Sequence, residues 1–417
     1  MPTTLTEIQG SKLRLKLHPG QRQAWQSDAL MTWIIAGTQS GKTSFGGWWL
    51  WREIERRGAG DYLAVTATYD LFKLKMLPEL KNIFCRLVGG WKYLGGDRVL
   101  YRPKDKSRII LRSANAPEGL ESATAKGAWL DECGQDGFRI ESFEAVQRRL
   151  SLNEGRILGT TTPYNLGWLK TEAYNKWVKG DPTHRVIQFA STMNPQFPRA
   201  EYERVKASGM PSWKFNMFYN GIFERPAGMI YKDYNEKIHL IEPVPLKPEW
   251  PRYVGVDFGA VNTATVWICE DPDKNILYLY RDTLEGDKTT GEHAEGYKDQ
   301  AQAENVVAWV GGAPSEKQNR WDFGSFGVPI TRPPISDVES GINRVIELFK
   351  KKRLFIFNTC RGVLDEIGTY SREVDTIGQP TDKIKDKEKF HRLDSLRYVT
   401  SFISQPGVVT EENVFYS

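Results

Sequence analysis

The sequence predicts an α/β protein of two domains, and three observations predict it. The first is Trp33-Ile-Ile-Ala-Gly-Thr-Gln-Ser-Gly-Lys-Thr-Ser44, an apolar strand that enters a glycine-bearing loop and then a helix. The second is a pair of apolar runs, Gly127-Ala-Trp-Leu-Asp-Glu132 and Gly155 to Pro163, each ending in polar side chains. The third is a change of pattern after residue 251, where short strands follow one another as a meander. Between the halves, Pro226, Gly228, Pro243, Pro245, Pro248 and Pro251 interrupt the chain. The expected division is 1–225 for the first domain, 226–250 for a linker and 251–417 for the second domain. Gly228 to Tyr234 is expected as a short strand inside that linker.

Composition supports globular domains and narrows the class. Hydrophobic residues make up 40% of the 417 and charged residues 26%, enough for two real cores. Cys85, Cys133, Cys269 and Cys360 are scattered, so neither a zinc knuckle nor a disulfide framework is expected and a reducing compartment is. The N-terminus has no apolar core of a signal peptide, and no apolar run is long enough to span a bilayer. The net charge of +5 is compatible with a nucleic-acid partner and does not by itself demand one. The many Trp and Tyr residues are read as core and interface residues, not as base-stacking platforms.

In the first domain, Trp33 to Ala36 reads as a buried parallel strand, Gly37 to Gly41 as a tight loop and Thr43 onward as a helix. That is the order of a phosphate-binding P-loop. The N–H groups of Gly37, Thr38, Gln39, Ser40 and Gly41, with the helix N-terminus, offer partial positive charge to phosphate oxygens. Lys42 can reach the β- and γ-phosphates, and the Thr43 hydroxyl can hold Mg²⁺. Ala36 stands where the usual pattern begins with Gly. Upstream, Gln21 can both donate to and accept from an adenine, while a turn before an amphipathic helix is the plainer reading.

Asp61 to Ala67 reads as the next strand and Tyr69 to Val88 as a helix. Val99 to Pro103 and Ser107 to Arg112 read as a hairpin-like pair, and 115–126 as a loop. At the end of the next strand, Asp131 can hold Mg²⁺ through water and Glu132 can deprotonate the attacking water. Strand C-termini of a parallel sheet face the nucleotide, so Thr160, Thr161 and Thr162 can sense the γ-phosphate. Arg139, Arg148 and Arg149 are candidates for an arginine acting on a neighbouring subunit's nucleotide. Arg148-Arg149 reads equally well as a solvated helix face. Pro211 to Phe223 reads as an aromatic-rich helix packed on this domain.

In the second domain, Tyr253 to Gly259, Ala264 to Cys269 and Ile276 to Tyr280 form the meander. A helix from Gly291 to Ala303 and strands at Asn305 to Trp309 and Val328 to Arg332 follow. This is the order of an RNase H-like domain, which cuts phosphodiesters with two metal ions held by carboxylates. Mg²⁺ and Mn²⁺ prefer oxygen ligands, so acids are required. Asp257 on the first strand, Glu316 after the fourth strand and Asp394 near the start of a late helix are the expected ligands. A surface role is the plainer reading of His391, one turn before Asp394. Lys350 to Arg353 reads equally as cations at a helix C-terminus and as a DNA-backbone contact.

The ordered set of a Gln21 segment, a P-loop, Asp131-Glu132, a Thr160 region, a proline-rich linker and then Asp257, Glu316 and Asp394 resembles the large terminase subunit of tailed double-stranded DNA bacteriophages. The resemblance covers nearly the whole chain. It implies an ATP- and Mg²⁺-dependent motor that drives double-stranded DNA into a procapsid, and a nuclease that cuts the concatemer with two Mg²⁺ or Mn²⁺ ions. It implies a ring, usually of five copies, when assembled on the portal protein, a monomer in solution, and a small terminase subunit selecting the DNA. The implied location is the host cytoplasm and then the portal vertex, not a membrane and not the mature virion. Two departures stand out. Many members carry an Arg where this chain has Thr38, and many carry an Asp near Gly312 or Ala313, where Glu316 is the nearest carboxylate here. The competing reading is a P-loop DNA helicase or translocase with a non-catalytic C-terminal domain.

Overall fold

The computed structural model describes residues 5–10, 12–115, 124–259, 261–375 and 379–403. The chain divides into two compact units, residues 1–227 with 374–379, and residues 228–373 with 380–417. Most of the loop expected at 115–126 lies outside the described residues.

The first unit is built on an eight-stranded sheet. Its order is His184–Phe189, Met31–Ala36, Arg156–Thr161, Gly127–Asp131, Asp61–Thr66, Ser107–Ser113, Val99–Arg102 and Lys92–Leu94. The first six are mutually parallel and the last two join antiparallel at one edge. Period-two alternation sorts the P-loop strand's side chains. Trp33 and Ile35 enter one core cluster, and Ile34 and Ala36 enter the cluster on the other face. The helix Lys42–Arg57 covers that second face through Phe45, Trp48, Trp49 and Ile54. It sits close to the sheet because Gly46 has no side chain. A Cβ there would lie 2.0 Å from the fully buried Trp129 ring. Gly46→Ala is therefore expected to destabilise the first unit by about 1–3 kcal/mol, the usual cost of overpacking. The check is a lowered denaturation midpoint with an unchanged slope.

The helix expected from Tyr69 to Val88 is present as Tyr69–Leu71, Phe72–Met76, Leu77–Leu80 and Lys81–Leu87, with two wider i→i+5 stretches at Phe72–Met76 and Lys81–Leu87. The aromatic helix is present as Ser212–Phe215 and Asn216–Asn220, and it packs on the P-loop: Thr38 N–H donates to the Phe218 carbonyl at 2.7 Å. The edge strand His184–Phe189 and the hairpin Thr6–Gln9 with Lys12–Leu15 were not expected. Each mixes charged and apolar residues with little run of hydrophobicity.

The second unit carries a seven-stranded sheet. Its order is Leu240–Ile241, Leu354–Phe357, Ile276–Gly286, Asn262–Asp271, Arg252–Phe258, Val306–Gly311 and Ile330–Thr331. The three central strands form the antiparallel meander, and the flanking strands pair parallel to it. This is the expected RNase H-like arrangement. The strand Leu354–Phe357 was missed because it follows directly on the basic run, where Lys350, Lys351 and Lys352 are exposed at the end of the helix Val338–Lys350.

The expected linker is corrected by the packing. From Gly228 onward the segment belongs to the second unit. Ile230 and Tyr231 are buried in its core with Phe349 and Tyr370, and Leu240–Ile241 adds an edge strand. Proline-rich sequence here reports an absence of regular structure, not an absence of burial. The short strand expected at Gly228 to Tyr234 is reduced to a single bridge between Met229 and Ser371.

Candidate functional site

Two constellations of chemistry-bearing side chains are present, one in each unit. In the first unit, the P-loop strand and the Asp131 strand are separated by the Thr160 strand, so all three C-terminal ends lie side by side. Gly41 caps the helix Lys42–Arg57 with φ of 84°, a left-handed conformation that suits glycine. At Gly37 a Cβ would lie 2.2 Å from the Tyr219 carbonyl oxygen. The position that must be glycine is thus Gly37, one residue after Ala36, whose side chain is buried in the core.

The loop's carbonyls are tied from behind. Ser191 Oγ donates to Thr38 O at 2.6 Å, Asn194 Nδ2 to Gln39 O at 2.8 Å and Gln21 Nε2 to Gly41 O at 3.0 Å. The His18 ring lies 3.1 Å from Ser40 O through Nε2. Gln21 is buried, and its Oε1 also accepts from His18 N–H at 3.2 Å. Both ends of the amide expected to meet adenine are therefore engaged within the protein, and Gln21 acts here as a brace of the P-loop.

Lys42 is buried and its ammonium donates to Thr162 Oγ1 at 2.9 Å and Gly37 O at 3.1 Å. Burial lowers its pKa, while the Glu132 and Asp131 carboxylates oppose that shift. Thr43 Oγ1 donates to Asp131 Oδ2 at 3.1 Å, and Thr160 Oγ1 donates to Asp131 Oδ1 at 2.7 Å. Burial first, and then the adjacent Glu132 charge, raise the Asp131 pKa. A cation beside Thr43 and Asp131 would offset both effects by favouring the ionised carboxylate, and hydroxyl and carboxylate oxygens are the donors that Mg²⁺ takes. Glu132 sits at φ of 53°, unusual for a residue with a side chain, and turns its carboxylate to Tyr164.

The threonines divide their work differently from the expectation. Thr160 holds Asp131, Thr161 Oγ1 accepts from Gly134 N–H at 2.9 Å, and Thr162 meets Lys42. Thr161, named for the nucleotide, is bonded instead to the chain after Glu132. Among the arginines, Arg139 precedes the helix Ile140–Leu150 near the Asp131 end of its strand. Arg149 lies at the other end, where its carbonyl accepts from Ala125 N–H just before the strand begins. Arg148 is exposed beside it. Of the three, Arg139 stands before the helix Ile140–Leu150, while Arg148 and Arg149 lie in its last turn.

In the second unit, Asp257 lies near the C-terminal end of the central strand Arg252–Phe258. The helix His391–Ile403 crosses that strand closely, because a Cβ at Gly255 would lie 2.2 Å from Ser395 O. Close approach brings His391 Nδ1 to 2.8 Å from Asp257 Oδ2. His391 thus stands against Asp257, and that hydrogen bond raises the His391 pKa. Asp394 accepts from Arg397 Nη2 at 2.6 Å. Burial raises the Asp394 pKa, opposed by Arg397 and reinforced by Asp257. Glu316 accepts from Ala313 N–H, and its pKa is likewise raised by burial and by Asp257. Arg320 donates to the carbonyls of Gly311 and Ala313, fixing the loop that carries Glu316. Asp322, a further acid on the helix Lys317–Ser325 that follows Glu316, accepts from Gln318 Nε2 at 2.7 Å.

Among the described residues no three acidic, imidazole or thiol side chains already converge at metal-ligand spacing. Asp257 nevertheless stands close enough to Glu316 and Asp394 for its charge to bear on both. An all-carboxylate set that repels itself fits a hard divalent cation. Sequence reasoning missed Tyr164, Arg397 and Tyr398, the last of which feels the Asp257 and Asp394 charges. Only the Asp394–Arg397 spacing of three carried a visible helical signal.

No protein-family model matches the chain, and no curated protein does. Solved structures do. The large terminase of bacteriophage HK97 is similar over 93% of this chain and 95% of its own, at 14% identity and a TM-score of 0.48. A large terminase from a thermophilic bacteriophage is similar over 93% of this chain and 99% of its own, at 16% identity and a TM-score of 0.46. The nuclease domain of the P22 large terminase is similar over 43% of this chain and 93% of its own, at 23% identity and a TM-score of 0.36. Each of the three is a large terminase or part of one.

Proposed function

We propose that the chain is the motor and nuclease subunit of a DNA-packaging machine. The first unit hydrolyses ATP to move double-stranded DNA into a procapsid, and the second cuts concatemeric DNA. The observation that carries this reading is the meeting of Lys42, Thr43, Asp131, Glu132 and Thr162 at the ends of three adjacent strands, with a second, separate carboxylate site around Asp257. The P-loop N–H groups and Lys42 bind the phosphates, Thr43 and Asp131 hold Mg²⁺, and Glu132 takes the proton of the attacking water. In the second unit Asp257, Asp394 and Glu316 hold two Mg²⁺ or Mn²⁺ ions. Held there, such ions would supply charge stabilisation for phosphodiester cleavage. Arg397 and His391 orient the Asp394 and Asp257 carboxylates.

On this reading Arg139 serves a neighbouring subunit's nucleotide in a ring, of which five copies on a portal protein is the proposed form. The further proposed partners are double-stranded DNA and a small terminase subunit, met in the host cytoplasm and at the portal vertex. Among the described residues no helix is long and apolar enough to cross a membrane. The test measures phosphate release from ATP and conversion of supercoiled plasmid, with Mg²⁺, Mn²⁺ or chelator. ATP turnover without metal-dependent cutting would leave a translocase and remove the nuclease half of the proposal.

A further inference from the structure

Tyr164 lies two residues beyond Thr162, just past Pro163, and is half-buried. Its hydroxyl donates to Glu132 Oε2 at 3.1 Å and accepts from Gln135 Nε2 at 3.3 Å. Its ring packs edge-on against Phe218, with centroids 5.4 Å apart. The Phe218 carbonyl in turn accepts from the P-loop N–H of Thr38. Tyr164 is therefore fixed at both ends, by its ring to the segment that seats the P-loop and by its hydroxyl to Glu132.

We propose that Tyr164 is a positioning residue for ATP hydrolysis, holding the Glu132 carboxylate in the direction of the attacking water. The inference rests on the reading of Glu132 as the base. The geometry around Glu132 supports it. Glu132 occupies a left-handed backbone conformation that an unrestrained glutamate rarely adopts, so its side chain leaves the strand in an unusual direction. A glutamate side chain has three rotatable bonds, and one oriented hydrogen bond removes much of that freedom. The partner also stays a donor, because burial and the Glu132 charge both raise the phenol's pKa. One carboxylate oxygen is thereby engaged and the other is left to accept the water proton. Gln135 supplies the phenol oxygen with its own donor, which fixes the direction of the Tyr164 proton.

The experiment is a double-mutant cycle on the full chain. Tyr164→Phe keeps the ring against Phe218 and removes only the hydroxyl. It is expected to lower kcat for ATP about tenfold, as a misdirected base does, with KM unchanged. In a Glu132→Gln background the same change is expected to lower residual turnover by less than about twofold, because there is no longer a base to orient. Tyr164→Leu, which also removes the ring, adds a folding control through its denaturation midpoint. An unchanged kcat in Tyr164→Phe, or an equal loss in both backgrounds, overturns the proposal. Failure of the underlying reading looks different, since Glu132→Gln alone would then turn over ATP normally.

Discussion

Glu132→Gln is expected to lower ATP turnover by about 10²–10⁴-fold, the contribution of a positioned general base, while ATP still binds. The amide is nearly the same size as the carboxylate, so Tyr164 can keep its hydrogen bond and the backbone at φ of 53° need not change. An amide cannot take the water proton, and this alone stops the chemistry. Phosphate binding is held elsewhere, by Lys42 and by the loop that Gln21, Ser191 and Asn194 tie from behind. Lys42→Ala should show the opposite pattern, with weak ATP binding as well as slow turnover. Equilibrium binding of a fluorescent ATP analogue separates the two. Glu132→Gln protein that neither binds nor turns over ATP would point to a structural role for Glu132 in shaping the loop.

The sequence made the elements of both sites legible where local pattern and chemistry coincide. A buried strand, a glycine loop and Lys-Thr can be read in twelve residues, and Asp257 stands out as an acid in an apolar strand. Long-range pairings were not legible. Gln21 looks like a free amide until the fold places Gly41 and His18 against it. His391 looks like a surface histidine until the missing side chain of Gly255 lets its helix approach Asp257. The three consecutive threonines illustrate the same limit. Their order predicts hydroxyls near phosphate, but strand alternation and the turn after Thr161 decide which one faces Lys42, and it is Thr162. The linker failed for a related reason: proline excludes regular structure, and only the tertiary contacts of Tyr231 show that the segment is core.

Asp257→Asn is expected to abolish DNA cutting while leaving ATP turnover at the wild-type level. Asp257 is the shared member of its site, since its charge bears on both Glu316 and Asp394 and its Oδ2 meets His391. Removing that charge leaves Asp394, already neutralised in part by Arg397, and Glu316, already accepting from Ala313 N–H. Two divalent ions need several anionic oxygens, and the remaining pair supplies too few. The loss should exceed the roughly 10–100-fold that follows removal of an outer partner of a metal ligand. His391→Ala, which removes such a partner, should fall within that range. The carboxamide preserves shape, so the denaturation midpoint should stay close to that of the parent. The direct measurement is Mn²⁺ binding, by anomalous scattering from soaked crystals or by calorimetry. Metal bound away from Asp257, or undiminished Mn²⁺ affinity in Asp257→Asn, would sink the two-metal account. Asp394→Ala should match Asp257→Asn. Glu316→Ala tests the third ligand, with Asp322, which accepts from Gln318 on the helix Lys317–Ser325, as the neighbouring acid that could stand in.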